Sequence, residues 1–587
     1  MDSQKRLLIA LGLSFVLTMV YVNFFVKPPP VADAADAGQV AKEAADAGLA
    51  PSTGPAPSAQ AAAVDAAAVP AGGRAVPVEV APLVEVSRAR AQAHYTVSSE
   101  GAALVRAQLQ GPKMREQPHL SLADGLGRLI GRKVQPPPQM DLAAPPPGLP
   151  LPYSISIEGP NPLPASTRYH VDQKVEGGLE LSVTAGPWQV SRTYEWKTDF
   201  ELVSVVRVKN VGAVPASGEL ALRVSRGIDP VREEKGSFFG GIGNQSRTAC
   251  LVGETFEHVV PTDDDKPPPE HKGPVRFFGI DQQYFLSAMY PLDQAREGRC
   301  VLTATSTYRE ATAYFPLQLA PGQEATQAFG AFIGPKDVDD LARVKACSAP
   351  GCAFRPELEK AVDFGIWAFI VKVLLWVLKF FHGLVGNWGV AIILLTVLVK
   401  IVLLPLTHRS MVSAEAMKKL QPQMEVIRKK FAEDKERQNM EMMKLYQEAK
   451  VNPLGGCLPL LFQLPIWAAL YTTLRTSYDL YGEPFINPMW ADLTYKDPTY
   501  VLPLALGVTM VLTQRLQPQM MDATQAKVMT YGMPVFFTAF MLNYPAGLAL
   551  YIFTNNLLSI AQQYALRRYL ERTGQAAPRS ASKEKKG

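Results

Sequence analysis

Histidine is sparse in this chain: seven residues scattered through 587 do not build a convincing imidazole metal centre. The five cysteines contain no Cys-x-x-Cys pair, so neither a zinc site of that type nor a dense disulfide framework is expected. Catalytic signatures are missing as well. There is no G-x-x-x-x-G-K-S/T loop, no H-E-x-x-H, no G-x-S-x-G and no Rossmann glycine fingerprint. No metal, cofactor or covalent chemistry is implied. Charged residues are 19% of the chain, below the typical value of about 25%. The net charge of +5 is spread over the whole length, which does not make a surface for sequence-specific nucleic acid. The length and the 47% hydrophobic content exclude a small soluble enzyme, a disordered chain and a collagen-like fibre.

What the chain does have is long apolar runs at its start and in its last third, around a polar middle. Residues 1–26 place Lys5 and Arg6 before the run Leu7–Val26. About 20 residues at 1.5 Å rise cross a hydrocarbon core of about 30 Å, so an uncleaved anchor with a cytoplasmic N-terminus is expected. Residues 27–75 are rich in Ala, Pro, Asp and Gly and read as a disordered tether. From 76 to 345 the period is two. Leu220, Leu222 and Val224 alternate with Glu219, Arg223 and Ser225, and Leu179, Leu181 and Val183 with Glu180, Ser182 and Thr184. That is the pattern of half-buried antiparallel strands, and it predicts one large β-sandwich with Pro- and Gly-rich loops at 136–152, 159–164 and 266–274.

Beyond residue 356 the pattern is helical, with six apolar runs and a charged stretch at 408–450. That stretch carries ten Lys/Arg and seven Asp/Glu and reads as a helical hairpin in water, with Pro422 and Asn439 as its breakers. If all six runs and the anchor crossed, the hairpin would lie outside, against the positive-inside rule. One earlier run therefore stays on the surface. The stretch 356–385 is the candidate, because Lys372, Lys379 and His382 share one helix face while Trp367, Trp376 and Phe380 lie elsewhere. The expected spans are then 1–26, 387–407, 453–477, 499–514, 528–543 and 545–566. The hairpin and the basic tail 567–587 face the cytoplasm, and the acidic loop 478–498 and the β-domain face the periplasm.

The strongest functional signal is Lys400, inside the apolar run 390–404. An ionisable group in a span costs roughly 2.5–3.5 kcal/mol on insertion scales, so it normally faces a cavity. The alternative is a lysine that snorkels to the cytoplasmic interface. Thr396 lies one turn away on the same face. Gln463, Thr472, Thr473, Asn543, Asn555 and Asn556 add polar groups in other spans, which together would wet a shared cavity, although each alone is commonly a helix–helix hydrogen bond. The run from Asn452 to Trp467 holds three prolines and two glycines, the mark of a kinked entry helix. Cys347 and Cys352 either close a small loop or stay free thiols; Cys457 reads as a small buried hydrophobe.

Six short motifs then carry a resemblance: Met1-Asp-Ser-Gln4, Phe278-Gly-Ile-Asp-Gln-Gln-Tyr-Phe285, Gly386-Asn-Trp-Gly389, Pro405-Leu-Thr407, Asn452-Pro-Leu-Gly-Gly-Cys457 and Tyr544-Pro-Ala-Gly547. In these the chain resembles the YidC/Oxa/Alb family of membrane protein insertases over essentially its whole length. The resemblance implies a multi-pass α-helical membrane protein of six spans. Five of these would form the insertase core, joined to a periplasmic β-supersandwich, a surface helix before the second span and a cytoplasmic hairpin. It also implies action on nascent membrane proteins, alone or beside the Sec translocon, with the ribosome or targeting machinery meeting 408–450 and the basic tail, and with membrane lipids around the spans. The groove charge of the family, usually arginine, matches Lys400, which keeps the charge but loses the bidentate fork. Substrate-contacting positions match Thr396, Gln463, Leu464, Pro465, Trp467 and Phe540, and Tyr551 matches the first of two tyrosines in the last span. The rival readings are a channel or secondary transporter, which predicts paired inverted repeats, and a membrane-anchored periplasmic binding module.

Overall fold

A computed structural model describes residues 81–572, apart from 118–121, 130–131, 133–135, 147, 173–177, 230–232, 234–245, 262–266, 348–351, 450–457, 488 and 517–525. The expected anchor 1–26, the tether 27–75, the Asn452–Cys457 motif and the tail beyond 572 lie outside the described residues.

The period-two region forms strands β1 (Glu85–Ala89), β2 (Ala93–Ser98), β3 (Ala103–Leu109), β4 (Ile155–Glu158), β5 (His170–Asp172), β6 (Gly178–Ala185), β7 (Trp188–Trp196) and β8 (Glu201–Asn210). It continues with β9 (Ala216–Gly227), β10 (Arg247–Val252), β11 (Thr255–Val259), β12 (Glu270–Asp281), β13 (Phe285–Pro291), β14 (Arg296–Ala304), β15 (Tyr308–Leu319) and β16 (Glu324–Pro335). These make two sheets, in a β-sandwich region as the sequence suggested. Strands β1–β3 stand apart, and the rest form an antiparallel thirteen-stranded sheet in the order β4-β9-β15-β14-β12-β13-β16-β8-β7-β6-β5, with β10 on β12 and β11 on β10. A short helix α1 (Leu122–Leu129) precedes β4, and α2 (Val338–Arg343) follows β16, capped by the Asp337 side chain.

β13 shows how the sandwich region closes. Every residue in it is buried: Phe285 and Met289 enter the main core, while Leu286, Ala288 and Tyr290 enter a second cluster with Leu341, Leu358 and Val362. A strand covered on both faces reads as a continuous apolar run. β9 departs from the half-buried expectation for the same reason. Arg223 and Ser225, on its polar face, are buried too, with Arg223 Nε 3.2 Å from Glu310 Oε1. The expected loop 266–274 is shorter than it looks in sequence, because β12 already starts at Glu270 and carries Gly273 and Pro274. Proline is tolerated there because β12 pairs only with β14 up to Pro274 and gains β10 from Val275 onward.

Two disulfides lie in this part. Cys347–Cys352 closes the small loop, deciding between the two sequence alternatives. The fully buried Cys250–Cys300 pair joins β10 to β14 across 50 residues; no spacing signal announces it. Both suit an oxidising compartment.

The helical part holds α3 (Ala368–Val385), α4 (Trp388–Val402), α5 (Leu404–Lys430), α6 (Lys435–Glu448), α7 (Leu458–Thr476), α8 (Val501–Leu516), α9 (Met533–Met541) and α10 (Ala546–Arg572). The stretch 356–367, expected to be part of the surface helix, forms two short 3-10 turns instead. Their Leu358, Ala361 and Val362 are buried against the β-domain. Neither expected breaker breaks. Pro422 sits inside α5 and Asn439 inside α6; the turn comes at 431–434, where Asp434 Oδ1 accepts from Arg437 N at 3.0 Å. By length and apolarity, Gly365–Val385 is the one described helix that suffices to cross a membrane, and Trp388–Val402, Val501–Leu516 and Val528–Met541 are shorter apolar helices.

Candidate functional site in the helical bundle

The motifs that stand out in the sequence turn out to build the frame. Gly386 ends α3 in the left-handed region, at φ +65°, where only glycine is unstrained. Asn387 then starts α4: its Oδ1 accepts from Val390 N at 3.0 Å and its Nδ2 donates to Phe485 O at 3.0 Å. Any Cβ at Gly389 would stand 2.2 Å from the Phe485 ring, so the loop after α7 seats only on a glycine. The same loop is held from the other side. Ala546 N donates to Tyr495 O at 2.7 Å and Gly547 N to Leu493 O at 2.9 Å. Pro405 occupies the first turn of α5, where its missing N–H costs nothing. Thr407 Oγ1 accepts from Gln562 Nε2 of α10 at 3.0 Å.

The Phe278–Phe285 motif joins the β-domain to this frame. Buried Asp281 meets Lys336 Nζ at 2.5 Å and Arg247 Nε at 2.7 Å. Burial pushes its carboxyl up, and the two cations with their hydrogen bonds more than reverse this, leaving it below the usual carboxylate range. The turn so fixed presents Tyr284 and Phe285 to the loop after α7. The Tyr284 ring lies 4.5 Å from that of Tyr481, tilted by 35°, and Phe285 meets Tyr478 at 5.7 Å.

Within the bundle, α3, α4, α7, α8, α9 and α10 share an apolar core that includes Leu374, Ile392, Leu395, Leu470, Leu506 and Tyr551. Lys400 lies on α4 and donates from Nζ to Ser559 Oγ of α10 at 2.7 Å. Ser559 Oγ in turn donates to Asn555 O at 2.8 Å. The neighbour of the ammonium is thus a neutral hydroxyl. Asn556 and Gln563 lie three before and four after Ser559, on one stripe of α10. Asn556 Nδ2 and Gln563 Oε1 are buried without a protein partner. Buried polar atoms of this kind cost about 1–3 kcal/mol each unless water reaches them.

The other sequence-predicted residues do not all join Lys400. Gln463 Nε2 of α7 donates to the Tyr551 hydroxyl of α10 at 3.4 Å, a second polar bridge eight residues up α10 from Ser559, about 12 Å at helical rise. Thr396 is fully buried and its hydroxyl closes on Ile392 O at 2.7 Å. Thr472 and Thr473 likewise bond Ala468 O and Ala469 O. The donors of these three hydroxyls are thus used on their own helices, which leaves only their acceptor lone pairs for other partners. Thr472 and exposed Asn543 sit toward the end of the bundle that meets the β-domain, away from Lys400. Along the expected contact slide, Leu464, Pro465 and Trp467 are half-buried on α7. Phe540, expected on the same slide, is 8% exposed, packs in the bundle core and has its ring 4.4 Å from that of Tyr544. Pro465 removes an N–H within α7 and frees the carbonyl one turn earlier. Sequence reading missed Ser559, Gln562 and Gln563; their spacing along α10 was the available signal.

These features define a class: an apolar helix bundle that carries a lysine and further polar groups between two of its helices, docked on a β-sandwich domain. Comparison with known proteins agrees. Residues 155–377 match the YidC periplasmic domain and residues 380–573 the 60Kd inner membrane protein family. A membrane protein insertase YidC from Anaeromyxobacter sp. (strain Fw109-5) is 40% identical over 496 residues, covering 83% of this chain and 85% of its own. That from Geobacter sulfurreducens is 39% identical over 383 residues, covering 65% and 68%. A solved active YidC insertase is 19% identical, with a TM-score of 0.35 over 83% of this chain and 95% of its own. The chain belongs to the YidC family of membrane protein insertases.

Proposed function

We propose that this protein inserts integral proteins into the bacterial inner membrane through a hydrated groove, without covalent turnover. The observation that carries this is Lys400, held by Ser559 beside the buried, unpartnered polar atoms of Asn556 and Gln563. A cation and water part-way through an apolar bundle lower the cost of moving a polar, acidic substrate tail across hydrocarbon. The apolar segment that follows would leave past Leu464 and Trp467 into lipid, driven by its own burial.

In this reading the chain crosses six times. The anchor, α4, α7, α8, the helix ending in α9, and α10 are the spans, the last five forming the core, with both termini in the cytoplasm. α3 lies on the outer surface despite its length. What supports this is that the chain meets the β-domain both just before α3 and again two-thirds of the way along it. The turn before it buries Val362 there, and Lys379, eleven residues into α3, reaches Asp339 of α2 at 3.3 Å. A helix that crossed would carry Lys379 about 16 Å away from that domain. The hairpin α5–α6 and the basic tail would meet the ribosome, the targeting machinery or the nascent chain, and the Sec translocon is a partner for some substrates. Photocrosslinking from positions 463, 464 and 467 to an arrested nascent membrane protein tests the groove. Adducts at these three positions are expected, and their absence, with adducts only from the β-domain, would favour a binding module instead.

A further inference from the structure

Lys400 and Ser559 meet because their helices start from one place. Asn387 opens α4 on Phe485 O, and Ala546 opens α10 on Tyr495 O, both in the loop after α7. Lys400 is the thirteenth residue of α4 and Ser559 the fourteenth of α10. At helical rise both therefore lie about 18–20 Å from that loop, level with one another.

Two features make the position of the ammonium depend on this partner. Among the described residues Ser559 is its one hydrogen-bond partner, and no described carboxylate pairs with it. The residues that follow, Ile401, Val402 and Leu404, are exposed apolar side chains and offer it nothing. Lysine is a point charge on a flexible stem, without the rigid fork of arginine. A tether thus decides whether its charge stands inside the bundle or follows the stem out to the interface.

Ser559 holds the cation without cancelling it. Its own proton goes to Asn555 O, so toward Lys400 the oxygen accepts. A carboxylate in its place would neutralise the ammonium. A hydroxyl takes up one of the three N–H donors and leaves the others for an incoming carboxylate.

We infer that Ser559 is a positioning residue. It keeps the Lys400 ammonium inside the bundle with its charge intact, and so gives insertion its preference for substrate tails that carry Asp or Glu. The inference rests on the groove reading of Lys400 and adds that the preference is set from α10.

The test uses the full-length protein in vesicles and matched substrates that differ only in tail charge. Ser559→Ala should lower the acidic-to-neutral insertion ratio about three-fold, the scale of one hydrogen bond. Alanine is the better helix former, so a weakened α10 does not account for such a loss. Ser559→Thr keeps a hydroxyl that bonds the carbonyl one turn earlier and should restore the ratio. In a Lys400→Ala background Ser559→Ala should change the ratio no further, because the serine acts through the lysine. A further drop in that double variant overturns the inference. So does a ratio lowered by Lys400→Ala but not by Ser559→Ala.

A second readout needs no substrate. Vesicles with the cytoplasmic side outward are treated with a water-soluble amine-acylating ester, and mass spectrometry follows the peptide that holds Lys400. Release of the ammonium in Ser559→Ala should raise its acylation about three-fold over wild type and Ser559→Thr. Unchanged acylation overturns the positioning role. If neither Lys400→Ala nor Ser559→Ala moves the insertion ratio, the groove reading itself fails, and acylation alone then judges the tether.

Discussion

The Tyr284 hydroxyl donates to Leu474 O at 2.9 Å, so a turn of the β-domain caps the last turn of α7, the helix that carries Gln463 and Trp467. The carbonyls of a helix end lack intrahelical partners, and this one is taken by a residue 190 positions earlier. Tyr284→Phe should cost about 1 kcal/mol of docking, and Tyr284→Ala more, because the ring contact with Tyr481 goes as well. Hydrogen exchange of the amides at 474–481 should rise in that order while the amides of β6–β8 stay protected. Uniform exchange across the chain in Tyr284→Ala would mean that the two parts are not coupled here.

At Lys400, charge and shape separate. Lys400→Arg should keep insertion activity, because the cation persists. Lys400→Ala should impair substrates with acidic translocated tails about ten-fold, an estimate corresponding to roughly 1.4 kcal/mol, and neutral-tailed ones less. Lys400→Glu should be worst for acidic tails. An insertion assay with matched substrates that differ only in tail charge checks this. Equal effects on both tails would leave a hydrated groove without an electrostatic role for Lys400.

The ion cluster at Asp281 predicts an acid limit. Its carboxyl lies below its unfolded value, so the stabilisation is present above the unfolded pKa of about 4 and is lost as pH falls through the folded one. The unfolding midpoint of the full chain should therefore drop on acidification below about pH 4. Asp281→Asn should flatten that part of the profile and cost about 3–5 kcal/mol at neutral pH, because Lys336 stays buried without its counter-charge. An unchanged acid profile in the variant, followed by circular dichroism, would remove Asp281 as its source.

The hairpin α5–α6 extends the helix that begins next to Lys400. Deleting 415–445 should abolish insertion and leave the helical core assembled, as judged by an unchanged Lys400-proximal crosslink between cysteines placed at 399 and 559. Normal insertion by the deleted protein would reduce the hairpin to a solvated spacer.

Much of this was readable along the chain. The period of two in β6 survives as buried Leu179 and Leu181 beside more open Glu180 and Ser182, because a strand's facing is a local property. Asn387 and Gly386 mark a helix boundary for equally local reasons. Charge and apolarity set apart the hairpin and singled out Lys400. Local pattern failed where a second element decides the environment. Thr396 has the right spacing to share a face with Lys400, yet packing seals it and its hydroxyl turns back to Ile392. Phe540, expected to touch substrate, lies in the bundle core against the Tyr544 ring, a neighbourhood that its own spacing does not announce.

The sequence by itself determined which stretches are strands or helices and where a cation interrupts an apolar run, since these depend on neighbours within a turn or a pleat. Only the tertiary structure decided who meets whom. Lys400 finds Ser559 at a separation of 159 residues, Cys250 finds Cys300 across 50, and Tyr284 finds Leu474 across 190. Such partners follow from the way whole faces pack together, and packing is a property of the assembled core that no spacing along one element records.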